Sequence, residues 1–85
     1  MQDSSEYNRV CWASRRGMLE LDLVLEPFVK EVYPTLSEAD QQRYRNLLEC
    51  EDQDMYRWFL GRVRPDDEEI ASIVDAILAF ARRPA

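Results

Sequence analysis

Between Ile70 and Ala81 the apolar side chains fall at Ile70, Ile73, Val74, Ile77, Leu78 and Ala81, spacings that gather them on one stripe of an α-helix and turn Asp75 away from it. A helix with one apolar stripe is stable only when other elements cover that stripe, so this segment dictates a packed fold. Asp66, with Glu69 three residues later, has the spacing of a capping box that would start the helix. Arg82 and Arg83 close it, where positive charge suits the negative end of the helix dipole.

The upstream segments supply the cover. Over Asp3 to Arg15, Tyr7, Val10, Cys11 and Ser14 recur at helical spacing, and Asp3 with Glu6 has the form of a capping box. Gly17 suits the C′ position that closes this helix in a left-handed conformation, with Arg15 and Arg16 at the negative end of its dipole. From Leu19 to Leu25 two templates compete. Leu19, Leu21, Leu23 and Leu25 alternate as in a strand, whereas Leu21, Val24, Leu25, Phe28 and Val32 recur at three and four as in a helix. Helix is favoured, because Leu and Glu are good helix formers, the pattern runs on to Tyr33, and no other stretch offers a partner strand. Pro27 would break the bond to the Leu23 carbonyl, so a bend or a helix start is expected near it, and Pro34 ends the segment. Ser37, followed by Asp40, N-caps a helix running to about Cys50 that turns Tyr44, Leu47 and Leu48 inward. Asp52 or Asp54 caps a fourth helix in which Met55, Trp58 and Phe59 share a face and Gly61 lies near the end. The fold expected is all-α: one domain over residues 1–85, a small compact bundle of about five short helices.

At 85 residues, burial only just outweighs chain entropy, so the core must be dense in large side chains. Two Trp, four Tyr and three Phe, spread along the whole chain, meet that need. The net charge of −6 argues against an electrostatic grip on phosphate backbones or anionic lipid, so neither nucleic acid nor a membrane is an expected partner. No apolar run is long enough to span a bilayer. Cys11 and Cys50 are far apart, with no secretory apolar segment before them, which points to a reduced, cytoplasmic chain whose cysteines are small core residues.

The absence of histidine is the most restrictive fact for function, because it removes Ser–His and Cys–His nucleophilic pairs, His-based metal sites and the commonest general base. Glu20 and Asp22 form a carboxylate pair, but among 17 acidic residues such pairs arise by chance. The chain is therefore not expected to be an enzyme, and no catalytic residue or metal ligand is assigned. The acidic run Glu49 to Asp54 lacks the glycine and terminal glutamate of a calcium loop and reads as helix capping. Carboxylates from Asp66 to Glu69 would face phosphates if the last helix entered DNA, which excludes that use.

The candidate site is Trp12-Ala13-Ser14-Arg15-Arg16-Gly17-Met18-Leu19-Glu20-Leu21-Asp22, where a glycine sits between an arginine pair and a carboxylate. In one reading this is a recognition tip. Arg16 makes a forked contact to a partner carboxylate, Glu20 offers an acceptor, and Gly17 lets the partner approach. In the other reading it is capping alone, with Gly17 ending one helix, Arg16 serving its dipole and Glu20 serving the start of the next. Trp12 and Trp58 both read as aromatic core, although an exposed Trp12 beside the arginines would anchor a partner.

This stretch resembles the Arg-Gly-x-x-Glu signature and flanks of the SdhE family, the succinate dehydrogenase assembly factors or flavinators. A second block, Leu47-Leu48-Glu49-Cys50-Glu51-Asp52-Gln53-Asp54-Met55-Tyr56-Arg57-Trp58-Phe59-Leu60, is similar to the family's Leu-Leu-Glu followed by Asp-x-Asp and Trp. The resemblance implies a five-helix fold and a partner, the flavoprotein subunit of succinate dehydrogenase or of fumarate reductase, in which FAD becomes covalently attached to a histidine. It implies partner-binding roles for Arg16, Gly17 and Glu20, with Arg15, Met18, Asp22 and Trp12 beside them. FAD is expected to belong to the partner, with no cofactor held stably by this chain, and a monomer is expected. Two rivals remain: a free FAD carrier, disfavoured by the lack of a Gly-rich phosphate loop, and an antitoxin that sequesters a small membrane-associated toxin.

Overall fold

The computed structural model describes residues 4–61 and 63–83. Among them are five α-helices and no strand: α1 (Ser4–Ala13), α2 (Leu19–Glu31), α3 (Glu38–Leu48), α4 (Asp52–Phe59) and α5 (Glu68–Ala81), with a 3-10 turn at Tyr33–Thr35. Asp3, half of the capping box expected before α1, lies outside the described residues.

The competition between strand and helix over 19–25 is resolved by burial. A strand would place Leu19, Leu21, Leu23 and Leu25 on one face. Instead Leu21 and Leu25 are 0% exposed while Leu19 and Leu23 are 69% and 66% exposed, the split that a helical turn imposes. α2 lies at the centre of the molecule, packed against α1, α4 and α5, while α3 packs against α5. The helix passes through Pro27 without ending. The carbonyl that loses its partner belongs to Leu23, on the solvent side, where water can take the bond.

The core is mainly aliphatic around a group of stacked aromatic rings. Phe28 stacks on Tyr44 at 5.6 Å between centroids, Phe80 meets Phe28 edge-on at 5.9 Å, and Tyr33 leans on Tyr44 at 5.3 Å. Leu47, Met55, Ile73, Val74 and Ile77 fill the space around them, each side chain contributing roughly 1.5–3 kcal/mol by leaving water. Tyr44 is fully buried with its hydroxyl satisfied. Ser14 Oγ donates its one hydrogen to the Val10 carbonyl at 2.8 Å, so Tyr44 is the donor in the 2.7 Å bond between the hydroxyls. Burial pushes the Tyr44 phenol far above its ordinary range.

Helix ends differ from the expected ones at several places. Ser37 caps α3 as expected, accepting from the Asp40 amide at 3.2 Å, but α3 ends at Leu48. α5 is capped by Asp67 rather than Asp66: its carboxylate accepts from the amides of Glu69 and Ile70 at 2.8 and 3.1 Å. Neither Asp52 nor Asp54 caps α4, whose N-cap is Glu51 without a side-chain bond. Ala81 is exposed and Ala71 is buried, a rotation of the α5 stripe toward its N-terminal half. Gly61 follows α4 because a Cβ there would lie 2.9 Å from the Arg57 carbonyl oxygen.

Candidate partner-binding site

α1 ends at Ala13, earlier than a C′ role for Gly17 allows; the chain then turns through Ser14 to Met18 before α2 begins. Gly17 does take the left-handed conformation, with φ of +76°, but as the pivot of this loop rather than the closing residue of the helix. The reason is where the amides go: Ser14 still donates to the Val10 carbonyl, Arg15 tightens onto Trp12 three residues back, and the Arg16 amide leaves the helix ladder altogether for the Asp22 carboxylate.

Arg16 holds the loop in place. Its amide donates to Asp22 Oδ1 at 2.8 Å, which ties the loop to the first turns of α2. Its guanidinium donates from Nε to Asp52 Oδ1 at 2.7 Å, from Nη1 to the carbonyls of Ala13 and Leu48 at 2.8 and 2.9 Å, and from Nη2 to the Cys50 carbonyl at 3.0 Å. Ala13 and Leu48 are the last residues of α1 and α3, so these bonds satisfy carbonyls that a helix end leaves open. With its side chain 16% exposed, Arg16 makes a contact to a carboxylate inside the chain, which the sequence reading did not foresee. Asp22 likewise faces inward on the loop.

The residues around this lock are turned outward. Trp12, expected in the core, is 72% exposed, because α1 directs Val10 and Ser14 inward and leaves position 12 on the far side. The Arg15 guanidinium lies 5.7 Å from the Trp12 ring centroid. Arg15 therefore shields an aromatic face instead of serving the dipole of α1. Glu20 is exposed and makes no hydrogen bond or ion pair with a described residue.

Two shallow clefts flank the loop. One, of about 380 Å³, is lined by Cys11, Trp12 and Arg15 on one side and Glu26, Val29 and Lys30 of α2 on the other. The Lys30 ammonium, 3.0 Å from Glu26 and assisted by Arg15, holds the Glu26 carboxyl below the usual carboxylate range. Leu19 and Leu23 lie on the same strip of α2 as Glu26 and Lys30 by their three- and four-residue spacing. The second cleft, of about 410 Å³, joins Met18 to Gln53, Tyr56 and Arg57 of α4. Trp58 stays half-buried against the core as expected.

Sequence reasoning missed Leu19 and Leu23 as surface residues, although choosing the helical template already placed them opposite Leu21 and Leu25. It also missed the Arg16–Asp52 pair, for which no local pattern exists. Cys50 is half-buried, and burial raises its thiol above the ordinary value, so it is a poor nucleophile at neutral pH. Among the described residues no cluster of metal-ligating side chains occurs, and no helix is long and apolar enough to cross a membrane.

The sequence model of a family described as the flavinator of succinate dehydrogenase matches residues 8–81. The chain belongs to this family. The matched stretch runs from α1 to the end of α5 and takes in the Gly17 loop, both clefts and the Arg16 lock. As a flavinator-family member the chain is similar to the FAD assembly factor SdhE of Pseudomonas aeruginosa, 56% identical over 78 residues that cover 92% of this chain and 93% of that one. It is similar also to the FAD assembly factors SdhE of Aliivibrio fischeri, at 49% over 92% of this chain and 91% of the relative, and of Vibrio vulnificus, at 46% over 93% and 92%. The two sequence blocks that carried the family resemblance prove to be bonded to each other, since Arg16 of the first grips Leu48, Cys50 and Asp52 of the second.

Proposed function

We propose that this chain is an assembly factor, without catalytic residues of its own, that docks on the flavoprotein subunit of succinate dehydrogenase or fumarate reductase and promotes covalent attachment of FAD to a histidine of that subunit. The observation that carries the reading is the face around Gly17: Trp12, Leu19 and Leu23 are large apolar side chains left in water, and the side chains of the neighbouring Arg15 and Glu20 make no hydrogen bond or ion pair with a described residue. Apolar anchors ringed by charge are the anatomy of an interface, and Trp and Arg are the residues that dominate binding energy. Nothing within 4 Å occupies the space where a Gly17 side chain would project, so a partner backbone can approach there.

Arg15, Met18 and Glu20 join Trp12 as the contact residues, and Gly17 is the gap between them. The chemistry of attachment needs a histidine nucleophile and a base to take a proton from the flavin methyl; with no histidine, this chain leaves both, and FAD itself, to the partner. Its own contribution is to bind preferentially the flavoprotein conformation in which histidine and flavin are near attack geometry. A factor of this kind works as a cytoplasmic monomer and leaves when the remaining subunits dock.

Co-expression with the flavoprotein subunit, followed by denaturing-gel flavin fluorescence, tests the reading. Wild type should give covalently fluorescent flavoprotein, and Trp12→Ala and Glu20→Ala should give markedly less at unchanged helix content. Equal fluorescence with no assembly factor at all contradicts it, as does capture of a small toxin without any flavoprotein.

A further inference from the structure

The Gly17 loop has no regular structure of its own, yet the docking face depends on its shape: Arg15 precedes it on the α1 side, Met18 on its α2 side opens the second cleft, and Glu20 follows in the first turn of α2. α2 begins without a side-chain cap, since its N-cap residue is Met18. What fixes the loop is therefore not helix capping but Arg16, bonded to Ala13 at the end of α1, to Leu48 at the end of α3, to Cys50 between helices and to Asp52 at the start of α4.

From this geometry we infer that Arg16 and Asp52 form a positioning lock for docking: Arg16 acts on the partner through the loop it holds, and Asp52, on a different helix, is a functional residue because it anchors Arg16. The inference rests on the docking reading above and changes its distribution of roles. Three features support it. The Arg16 guanidinium meets acceptors from separate segments through Nε, Nη1 and Nη2, which a lysine could not do from one ammonium position. Its Nε–Oδ1 contact of 2.7 Å is a charge-assisted bond at a half-buried site, unlike the exposed Arg64–Asp75 pair. Asp22 completes the hold by accepting from the Arg16 amide, so both the backbone and the side chain of one residue are bonded to carboxylates.

A loop held this way is presented to the partner in one conformation, and a partner that binds only that conformation loses affinity in proportion to the fraction of time the loop leaves it. The lock therefore predicts that loosening the loop and weakening the complex go together, and that Arg16 and Asp52 report on one event.

The experiment measures two quantities on Asp52→Ala, Arg16→Lys, Arg16→Ala and the Arg16→Ala/Asp52→Ala double variant. Amide hydrogen exchange is followed at Ser14, Arg15, Arg16, Leu21 and Asp22, whose amides are bonded in and around the loop, and at Ile73–Ile77 of α5, and affinity is measured for the purified flavoprotein subunit lacking covalent flavin. Asp75→Asn, which breaks an exposed pair elsewhere, is the control. The expected result is exchange faster by about tenfold or more in the loop with α5 unchanged, affinity weaker by a similar factor, and a double variant no worse than Arg16→Ala. Arg16→Lys should resemble Arg16→Ala, and Asp75→Asn should bind as wild type. Wild-type affinity for Asp52→Ala, additive losses in the double variant, or α5 exchange rising in step with the loop would each overturn the lock. If wild type itself does not bind the flavoprotein subunit, the docking reading is what fails, and the lock loses its purpose with it.

Discussion

Replacing Gly17 separates the two demands that the site makes on one residue. Its φ of +76° lies in the left-handed region, where a Cβ costs an L-residue roughly 1–2 kcal/mol, and no neighbour within 4 Å adds a clash to that figure. For a domain of this size each kcal/mol shifts Tm by about 4–8 °C, so Gly17→Ala should lower Tm by roughly 5–15 °C with the helical fold retained. Gly17→Asn should cost less, because asparagine tolerates this conformation, and Gly17→Val more, because a β-branched residue does not. Thermal melts followed by circular dichroism give the order Asn, Ala, Val. Covalent flavin measured on the same variants should follow another order. It falls with the size of the side chain placed in the docking gap, so that Gly17→Arg loses most of it although it still folds. Equal melting temperatures across the series would refute the backbone argument, and full flavin loading by Gly17→Arg would refute the docking one.

Burial alone should decide the fate of neighbouring leucines: Leu25→Ala should cost about 2–5 kcal/mol in urea unfolding, whereas Leu23→Ala should stay within about 0.5 kcal/mol, and equal losses would contradict the placement of α2. Asp67→Ala should destabilise by about 1 kcal/mol through loss of the α5 cap, and Asp66→Ala by clearly less, with the reverse order refuting the observed cap. At alkaline pH, burial keeps the Tyr44 phenol, and to a lesser degree that of Tyr7, protonated above its ordinary value of 10.0. The unfolded chain then binds fewer protons than the folded one, so the stability these groups give is intact below about pH 10 and is lost progressively above it. Urea midpoints measured across that range should fall, and fall less in Tyr44→Phe; an identical slope in the two would rule out this origin.

Periodicity made the helices legible, because an apolar stripe is a local property: Tyr44, Leu47 and Leu48 of α3, and Ile73, Val74 and Ile77 of α5, are buried where spacing puts them. Helix ends were less legible, since Asp66 and Asp67 are equally good caps by type and only the path of the chain selects one. Trp12 shows the limit of hydrophobicity as a guide. Its burial was set by the phase of α1, which Val10 and Ser14 fix, and not by its own preference for an apolar environment. The candidate stretch was marked from sequence, but which of its side chains bond inside the chain was not legible there. Arg15 and Arg16 are adjacent and chemically identical, and only the positions of Leu48, Cys50 and Asp52, brought close by the packing of α3 and α4, turn one inward and leave the other outside.

The central claim is that this chain speeds covalent flavin attachment by docking on a flavoprotein subunit that holds all of the reacting groups. Its most direct test is the rate at which purified flavoprotein subunit, supplied with FAD, gains covalent flavin with and without the purified chain. Acceleration by wild type, diminished for Glu20→Ala and Trp12→Ala, is the predicted result, and loading that is equally fast in the absence of the chain would contradict it.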